Sequence, residues 1–212
     1  MVKVKICGIA SLSDAAVCTE LGADFIGNIV EIPGSPRSIS QERSKEIFKR
    51  LSSSVKGVAV LADKTVDEVI RAADFIRPAF VQLHGGESLE FVEKVGDEVC
   101  CGVIKAVQVK GEESISAALE FAEVCDAILL DTPSKKLGGS GEKHDWSISA
   151  RIAQQAKSPV FLAGGLNPEN VAEAVAAVEP FCVGVSSGVE RLPGQKDPEK
   201  VKRFIERAKG TK

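Results

Sequence analysis

The feature that most constrains this chain is an alternation repeated from end to end. Short runs rich in Val, Ile and Leu recur eight times, as VKVKICG (2–8), DFIGNIV (24–30), VKGVAVLAD (55–63), FVQLHG (80–85), CGVIKAVQV (101–109), AILLDT (127–132), PVFLAGG (159–165) and CVGVSSG (182–188). Such runs suit strands buried on both faces, as in a parallel sheet. Longer stretches with helical spacing separate them. Thr65 and Glu68 stand in capping-box spacing at the head of one. In NPENVAEAVAAV, Asn167 is placed as N-cap and Pro168 at the first helical position, with Val171, Ala174, Val175 and Val178 on one face. Asp197 and Pro198 repeat the design ahead of Val201, Phe204, Ile205 and Ala208. Repeated βα units spaced roughly 20 to 30 residues apart predict an α/β chain closed into a (β/α)8 TIM barrel, with an open doubly wound sheet as the structural alternative. No linker or composition break divides the sequence, so residues 1–212 are expected to form one compact domain.

Charge and cysteine usage narrow the function. The 27 basic and 30 acidic residues are interspersed and leave a net charge of −3. No basic stripe predicts a nucleic-acid partner, and no apolar span reaches the ~18 residues that predict a membrane helix. The opening MVKVKICGIA is too short an apolar run for a signal peptide, and a cytoplasmic protein is expected. The six cysteines, Cys7, Cys18, Cys100, Cys101, Cys125 and Cys182, are scattered and form no C-x-x-C pair. Neither a disulfide framework nor a metal site is expected from them. All but Cys7 read as small buried hydrophobes.

In either α/β architecture, ligands bind at the carboxyl ends of the strands. The polar residues there are Cys7, Asp63, His84, Asp131, Gly164, Gly165 and the Ser186-Ser187-Gly188 turn, whereas Glu42 and Glu46 read as solvated helix surface. Three glycine-rich turns fall in adjacent loops: Gly138 to Gly141 after the sixth run, Gly164 and Gly165 after the seventh, and Gly188 with its serines after the eighth. Glycines let backbone N–H groups approach an anion closely, and barrels often hold phosphate after strands seven and eight, so a phosphorylated ligand is expected. Asp131 is either a proton donor at the barrel mouth or a cap for its own loop. Cys7 is either a base in its thiolate form or a packed thiol. His84 could donate to a substrate or satisfy a neighbouring loop.

Taken in order, KICGI (5–9), FVQLHG (80–85), LLDT (129–132), GGSG with DWS (138–141, 145–147), LAGGLNPENV (162–171) and VSSGVE (185–190) resemble the phosphoribosylanthranilate isomerase family over essentially the whole chain. The resemblance implies a (β/α)8 barrel of tryptophan biosynthesis that catalyses an Amadori rearrangement without a metal or organic cofactor. It implies Cys7 as general base, Asp131 as general acid, and Arg37 facing the anthranilate carboxylate. His84, Gly139, Ser140, Gly141, Gly164, Gly165, Ser186, Ser187 and Gly188 are the expected contacts to a phosphorylated aminosugar, the protein being a monomer or homodimer. The family pattern is departed from in three places. Asn28 and Val30 stand where phenylalanines near the anthranilate ring are usual, His144 where an aromatic is usual, and Gly184 where an aspartate is usual. The competing readings are a paralogue acting on another phosphorylated aminoaldose and a non-catalytic phosphosugar-binding barrel.

Overall fold

The computed structural model describes residues 1–133 and 145–210. Each apolar run becomes a strand: β1 (Lys3–Cys7), β2 (Phe25–Val30), β3 (Lys56–Leu61), β4 (Phe80–Leu83), β5 (Gly102–Gln108), β6 (Ala127–Asp131), β7 (Val160–Leu162) and β8 (Cys182–Val185). All neighbours pair in parallel, and β1 bonds to both β2 and β8, which closes the ring. The closed barrel is the architecture expected, and the open sheet is excluded.

Helices α1 (Leu12–Glu20), α2 (Gln41–Lys49), α3 (Val66–Ile76), α4 (Leu89–Glu98), α5 (Ser114–Val124), α6 (Trp146–Gln155), α7 (Val171–Val178) and α8 (Pro198–Lys209) form the outer layer. Local chemistry fixes their starts. Thr65 and Glu68 complete the capping box of α3, satisfying two backbone donors at the helix end. Asp197 accepts from the Glu199 and Lys200 amides at the head of α8, and Val201, Phe204, Ile205 and Ala208 are buried as its spacing predicts. The start of α7 differs from expectation. Asn167 accepts from the amides of Glu169 and Asn170, so it caps the preceding turn, and the α-helix begins only at Val171. Val171, Ala174 and Val178 are buried beneath it.

Side chains alternate along each strand between the barrel interior and the helix layer. On β2, Phe25 faces inward, where its ring meets Phe80 at 6.1 Å and Phe161 at 5.2 Å, both edge-on. Phe161 also meets Phe181 at 5.7 Å, so aromatic rings close the amino end of the barrel. Outward residues such as Val4, Ile6, Ile128 and Leu130 pack with Val201, Phe204 and Ile205 in the strand–helix layer. At the amino end, Asp24 takes Lys3 at 3.0 Å, Lys209 at 2.8 Å and the Val4 amide at 2.9 Å, tying the end of α8 to the start of β1. The antiparallel ribbon Glu190–Leu192 with Gln195–Lys196 follows β8 and carries two charges back toward the carboxyl end.

Cysteine usage departs from the sequence expectation at one position. Cys18 and Cys182 are buried, Cys101 and Cys125 are half-buried, but Cys100 is exposed in the turn between α4 and β5. An apolar neighbourhood in sequence did not translate into burial there, because the turn lies outside both packed layers.

Candidate active site

The carboxyl end of the barrel opens into a cavity of about 110 Å³. Its polar lining includes Lys5, Cys7, Arg37, Gln82, His84 and Asp131, and the loops after β7 and β8 contribute Gly164, Gly165, Ser186 and Ser187. Its apolar wall comes from Ile29, Ile32, Val60, Leu129 and Leu166. The strand-end residues expected to share a site are therefore brought together, with three exceptions. Asp63 lies in a neighbouring cleft, which His84 and Asp131 also border. Gly188 does not line the cavity. Gly139, Ser140 and Gly141 lie outside the described residues, as does His144.

Cys7 ends β1 pointing inward, and its register partner is Gly27. That glycine is required by space: a Cβ there would come to 2.9 Å from Cys7 Sγ and 3.2 Å from Lys5 Cε. Gly8, at φ +73°, turns the chain away immediately after the thiol, and a Cβ there would collide with Arg37 and Ser186. Lys5, two residues before Cys7 and so on the same face, is 1% exposed inside the barrel. Its Nζ donates to Cys7 Sγ at 3.5 Å and to Gln82 Oε1 at 2.6 Å. On β4, Gln82 Nε2 lies 2.8 Å from His84 Nδ1, and His84 Nε2 faces Asp131 Oδ2 at 3.4 Å. One run of side chains thus crosses the barrel from β1 through β4 to β6. Asp131 Oδ1 meanwhile accepts from the Thr132 amide at 2.8 Å, so a loop-capping oxygen and a second oxygen facing His84 coexist in one carboxyl group.

Arg37 is buried in the loop between β2 and α2. Its Nε and Nη2 donate to the two oxygens of Glu190 at 2.8 and 2.7 Å. This fork-on-fork pairing fixes the guanidinium plane. Lys196 Nζ reaches the same carboxylate at 2.8 Å and the Ser186 carbonyl at 3.1 Å. Burial alone would raise the Glu190 carboxyl, but the Arg37 hydrogen bonds and the Lys196 charge outweigh it and hold it below the usual range. Arg37 is pushed up, first by its hydrogen bonds to Glu190. Burial draws Lys196 down, against the pull of Glu190. Both cations also feel the charge of a Cys7 thiolate. Lys5 contacts the thiol, and Arg37 and Lys196 add positive charge to this side of the site, which Glu190 offsets. Elsewhere, burial raises the Cys125 thiol to about 11 and the Cys18 thiol to about 12.

The glycine turns have a packing role as well as an open backbone. Gly164 and Gly165 both hold positive φ, at +84° and +64°. A Cβ on Gly164 would overlap Thr132, and one on Gly188 would overlap the Leu166 carbonyl, so these glycines let the loops after β6, β7 and β8 close on one another. The amides of Gly164, Gly165 and Ser187 find no protein acceptor among the described residues. Ser186 Oγ is buried at the cavity with no hydrogen-bond partner there. A buried hydroxyl without a partner, beside backbone N–H groups on part-buried and exposed turns, is what an anionic ligand would satisfy.

Two of the departures noted in the sequence change meaning. Asn28 is fully buried, but on the outer side of β2: it donates to the Ile9 carbonyl at 2.7 Å and accepts from Ser44 Oγ at 3.0 Å. Val30 packs in the strand–helix layer with Leu61 and Val69. Neither lines the cavity, so the expectation that these two positions lie beside the anthranilate ring is corrected. On β2 it is Ile29 that faces the ligand space. Gly184 does line it, opposite Lys5, and a Cβ there would find only ordinary contacts, at 3.6 Å from Ala163 Cβ and 3.9 Å from the Leu162 carbonyl. Sequence reasoning missed Lys5, Gln82, Glu190 and Lys196. The period-2 rule would have found the first two, each lying two residues before a residue already singled out.

The model of the N-(5'-phosphoribosyl)anthranilate (PRA) isomerase family matches residues 4–207. The chain belongs to this family. Among family relatives, N-(5'-phosphoribosyl)anthranilate isomerase of Methanopyrus kandleri is 46% identical over 221 aligned positions, covering 99% of each chain. That of Thermotoga maritima is 43% identical over 210 positions, covering 99% of this chain and all of the other. The crystal structure of the Thermotoga maritima enzyme superposes with a TM-score of 0.91 at 42% identity, over 99% of this chain and 100% of that one. A phosphoribosyl anthranilate isomerase solved in complex with reduced 1-(o-carboxyphenylamino)-1-deoxyribulose 5-phosphate superposes at 0.87 with 40% identity and the same coverage. None of the described helices is long and apolar enough to cross a membrane.

Proposed function

We propose that this chain, acting as a single barrel domain of cytoplasmic tryptophan biosynthesis, isomerises N-(5'-phosphoribosyl)anthranilate to 1-(2-carboxyphenylamino)-1-deoxyribulose 5-phosphate. The observation that carries the reading is the convergence of Cys7 from β1 and Asp131 from β6 on one cavity in a member of this family. Asp131 gives its proton to the ribose ring oxygen, the C1'–O bond breaks, and the anilino nitrogen supplies the electrons of a Schiff base. Cys7, as thiolate, removes the C2' proton, and the electron pair moves to give an enolamine. The enolamine gains a proton at C1' and loses one from its C2' hydroxyl, leaving the ketone. Asp131 ends the turn deprotonated and Cys7 protonated, so a proton is returned to the one and lost from the other through solvent.

Arg37, its plane held by Glu190, offers Nη1 to the anthranilate carboxylate. Ile29, Ile32 and Leu166 supply apolar surface for the ring. The positive-φ pair Gly164 and Gly165, with Ser186 and Ser187, receives the phosphate at the other end of the cavity. A paralogue acting on a different phosphorylated aminoaldose would have no use for an arginine so carefully fixed at that position.

The test is turnover of phosphoribosylanthranilate, formed in situ from anthranilate and phosphoribosyl pyrophosphate and followed by loss of anthranilate-type fluorescence. The wild type turns over, and Cys7→Ala and Asp131→Asn each lose about 10²- to 10⁴-fold. A wild type that is folded but inactive overturns the substrate. Full activity in both variants overturns the mechanism.

A further inference from the structure

The side chains that run between Cys7 and Asp131 have a direction. A lysine ammonium carries three donors and no acceptor. Lys5 Nζ lies 2.6 Å from the Gln82 amide, so the atom it meets must be the oxygen. The other half of that amide, the NH2 group, is then the one that faces His84 Nδ1 at 2.8 Å. An NH2 group can only donate, so Nδ1 must accept, and the imidazole proton is left on Nε2. Nε2 is the atom that faces Asp131 Oδ2. We propose that Lys5 is a positioning residue for both ends of the site: it holds the Cys7 thiolate directly, and through Gln82 it fixes the Nε2–H tautomer of His84, which presents a donor to the Asp131 carboxyl group.

The consequence for the reaction rests on Asp131 being its general acid. A protonated carboxyl oxygen keeps acceptor capacity, so Oδ2 can aim its proton at the sugar while accepting from His84 Nε2–H. Once the proton has gone, the same N–H stabilises the carboxylate left behind. The opposite tautomer would set a nitrogen lone pair against that carboxylate. His84 is thereby assigned to the acid, with its two ring nitrogens turned toward protein groups. The run is not a proton wire, because an amide passes a proton only by becoming its imidic acid. The packing serves the same end. Lys5 has room inside the barrel because Gly27 stands beside it, where a Cβ would come to 3.2 Å from Lys5 Cε.

The chain holds two histidines, so their ring nitrogens can be resolved by 15N NMR, with His84→Gln identifying the His84 signals. At mildly alkaline pH, the wild type shows a proton-bearing Nε2 and a bare Nδ1 on His84. Gln82→Glu replaces the donor facing the ring with an acceptor, and Nδ1 then acquires a proton. In the same variant kcat falls about 10- to 100-fold with KM little changed, the scale on which outer-shell partners of reacting groups are felt. A proton on Nδ1 of wild-type His84 overturns the proposal, and so does a bare Nδ1 in a folded Gln82→Glu. Once the His84 signals are identified, the wild-type spectrum decides whether or not Gln82→Glu folds. It also decides if the protein proves inactive on phosphoribosylanthranilate, so failure of the functional reading and failure of this one are separable.

Discussion

The two ends of the barrel interior are filled by opposite chemistry. At the amino end Phe25 meets Phe80 and Phe161 edge to face, and Phe161 meets Phe181 at a tilt. Toward the carboxyl end Lys5 and Gln82 occupy positions where a barrel of this size normally keeps branched aliphatics, and both are almost wholly buried. The aromatic end gains from area and packing and needs no exact orientation. Lys5 and Gln82 gain little from burial and are tolerated because each meets a partner. The difference teaches a division of labour: one end holds the barrel together and the other orients the groups proposed to react.

Substitutions can break that division in a predictable order. Phe161→Ala removes a ring from the aromatic end and should cost about 3–5 kcal/mol of stability, read as a lower denaturant midpoint, with the folded fraction still active. Glu190→Gln leaves two buried cations with a neutral partner. It should destabilise by roughly 3 kcal/mol and raise KM more than it lowers kcat, since Arg37 loses its fixed plane. Gly27→Ala pushes a methyl against Cys7 and Lys5 and should cost about 1–3 kcal/mol together with activity. Gly184→Ala, whose methyl has room, should stay within roughly 0.5 kcal/mol of wild type. A Gly27 variant as benign as the Gly184 one would refute the close packing around Lys5.

Acid sharpens the comparison further. Burial opposes ionisation of Glu190 and Asp24, but their cationic partners prevail and both carboxyls sit below their ordinary values of 4.5 and 3.8. A depressed folded-state pKa contributes stability that is complete above the unfolded value and is lost as pH falls through the folded one. Stability should therefore hold down to about pH 4.5 and decline below it, and Glu190→Gln should show a shallower decline in urea titrations across that range.

The fold was legible because it is written in repeats. Eight apolar runs and the caps at Thr65 and Asp197 state strand, helix and order locally. Asn167 misled because an Asn-Pro pair caps a turn as readily as an α-helix, and only the three-dimensional path shows which. Cys7 and Asp131, the proposed reacting pair, were legible as strand-end residues, and the structure brings both to one cavity. What was hidden is whatever depends on facing. Asn28 and Val30 could not be excluded from the ligand space until the register put Gly27 and Ile29 inward. Lys5 reads as one charge in an alternating strand, and nothing local says that its face is the barrel interior. Glu190 and Arg37 are separated by most of the chain and meet only because the ring closes.

The central claim, that the polar end carries the chemistry and the aromatic end the stability, is tested most directly by measuring kcat/KM and Tm together for Asp131→Asn and Phe161→Ala. Asp131→Asn should lose about 100-fold or more in kcat/KM while Tm stays within about 2 °C, and Phe161→Ala should lower Tm by roughly 6–20 °C while the folded enzyme keeps most of its kcat/KM. If each variant instead lost activity and stability in the same proportion, the division between the two ends would be wrong.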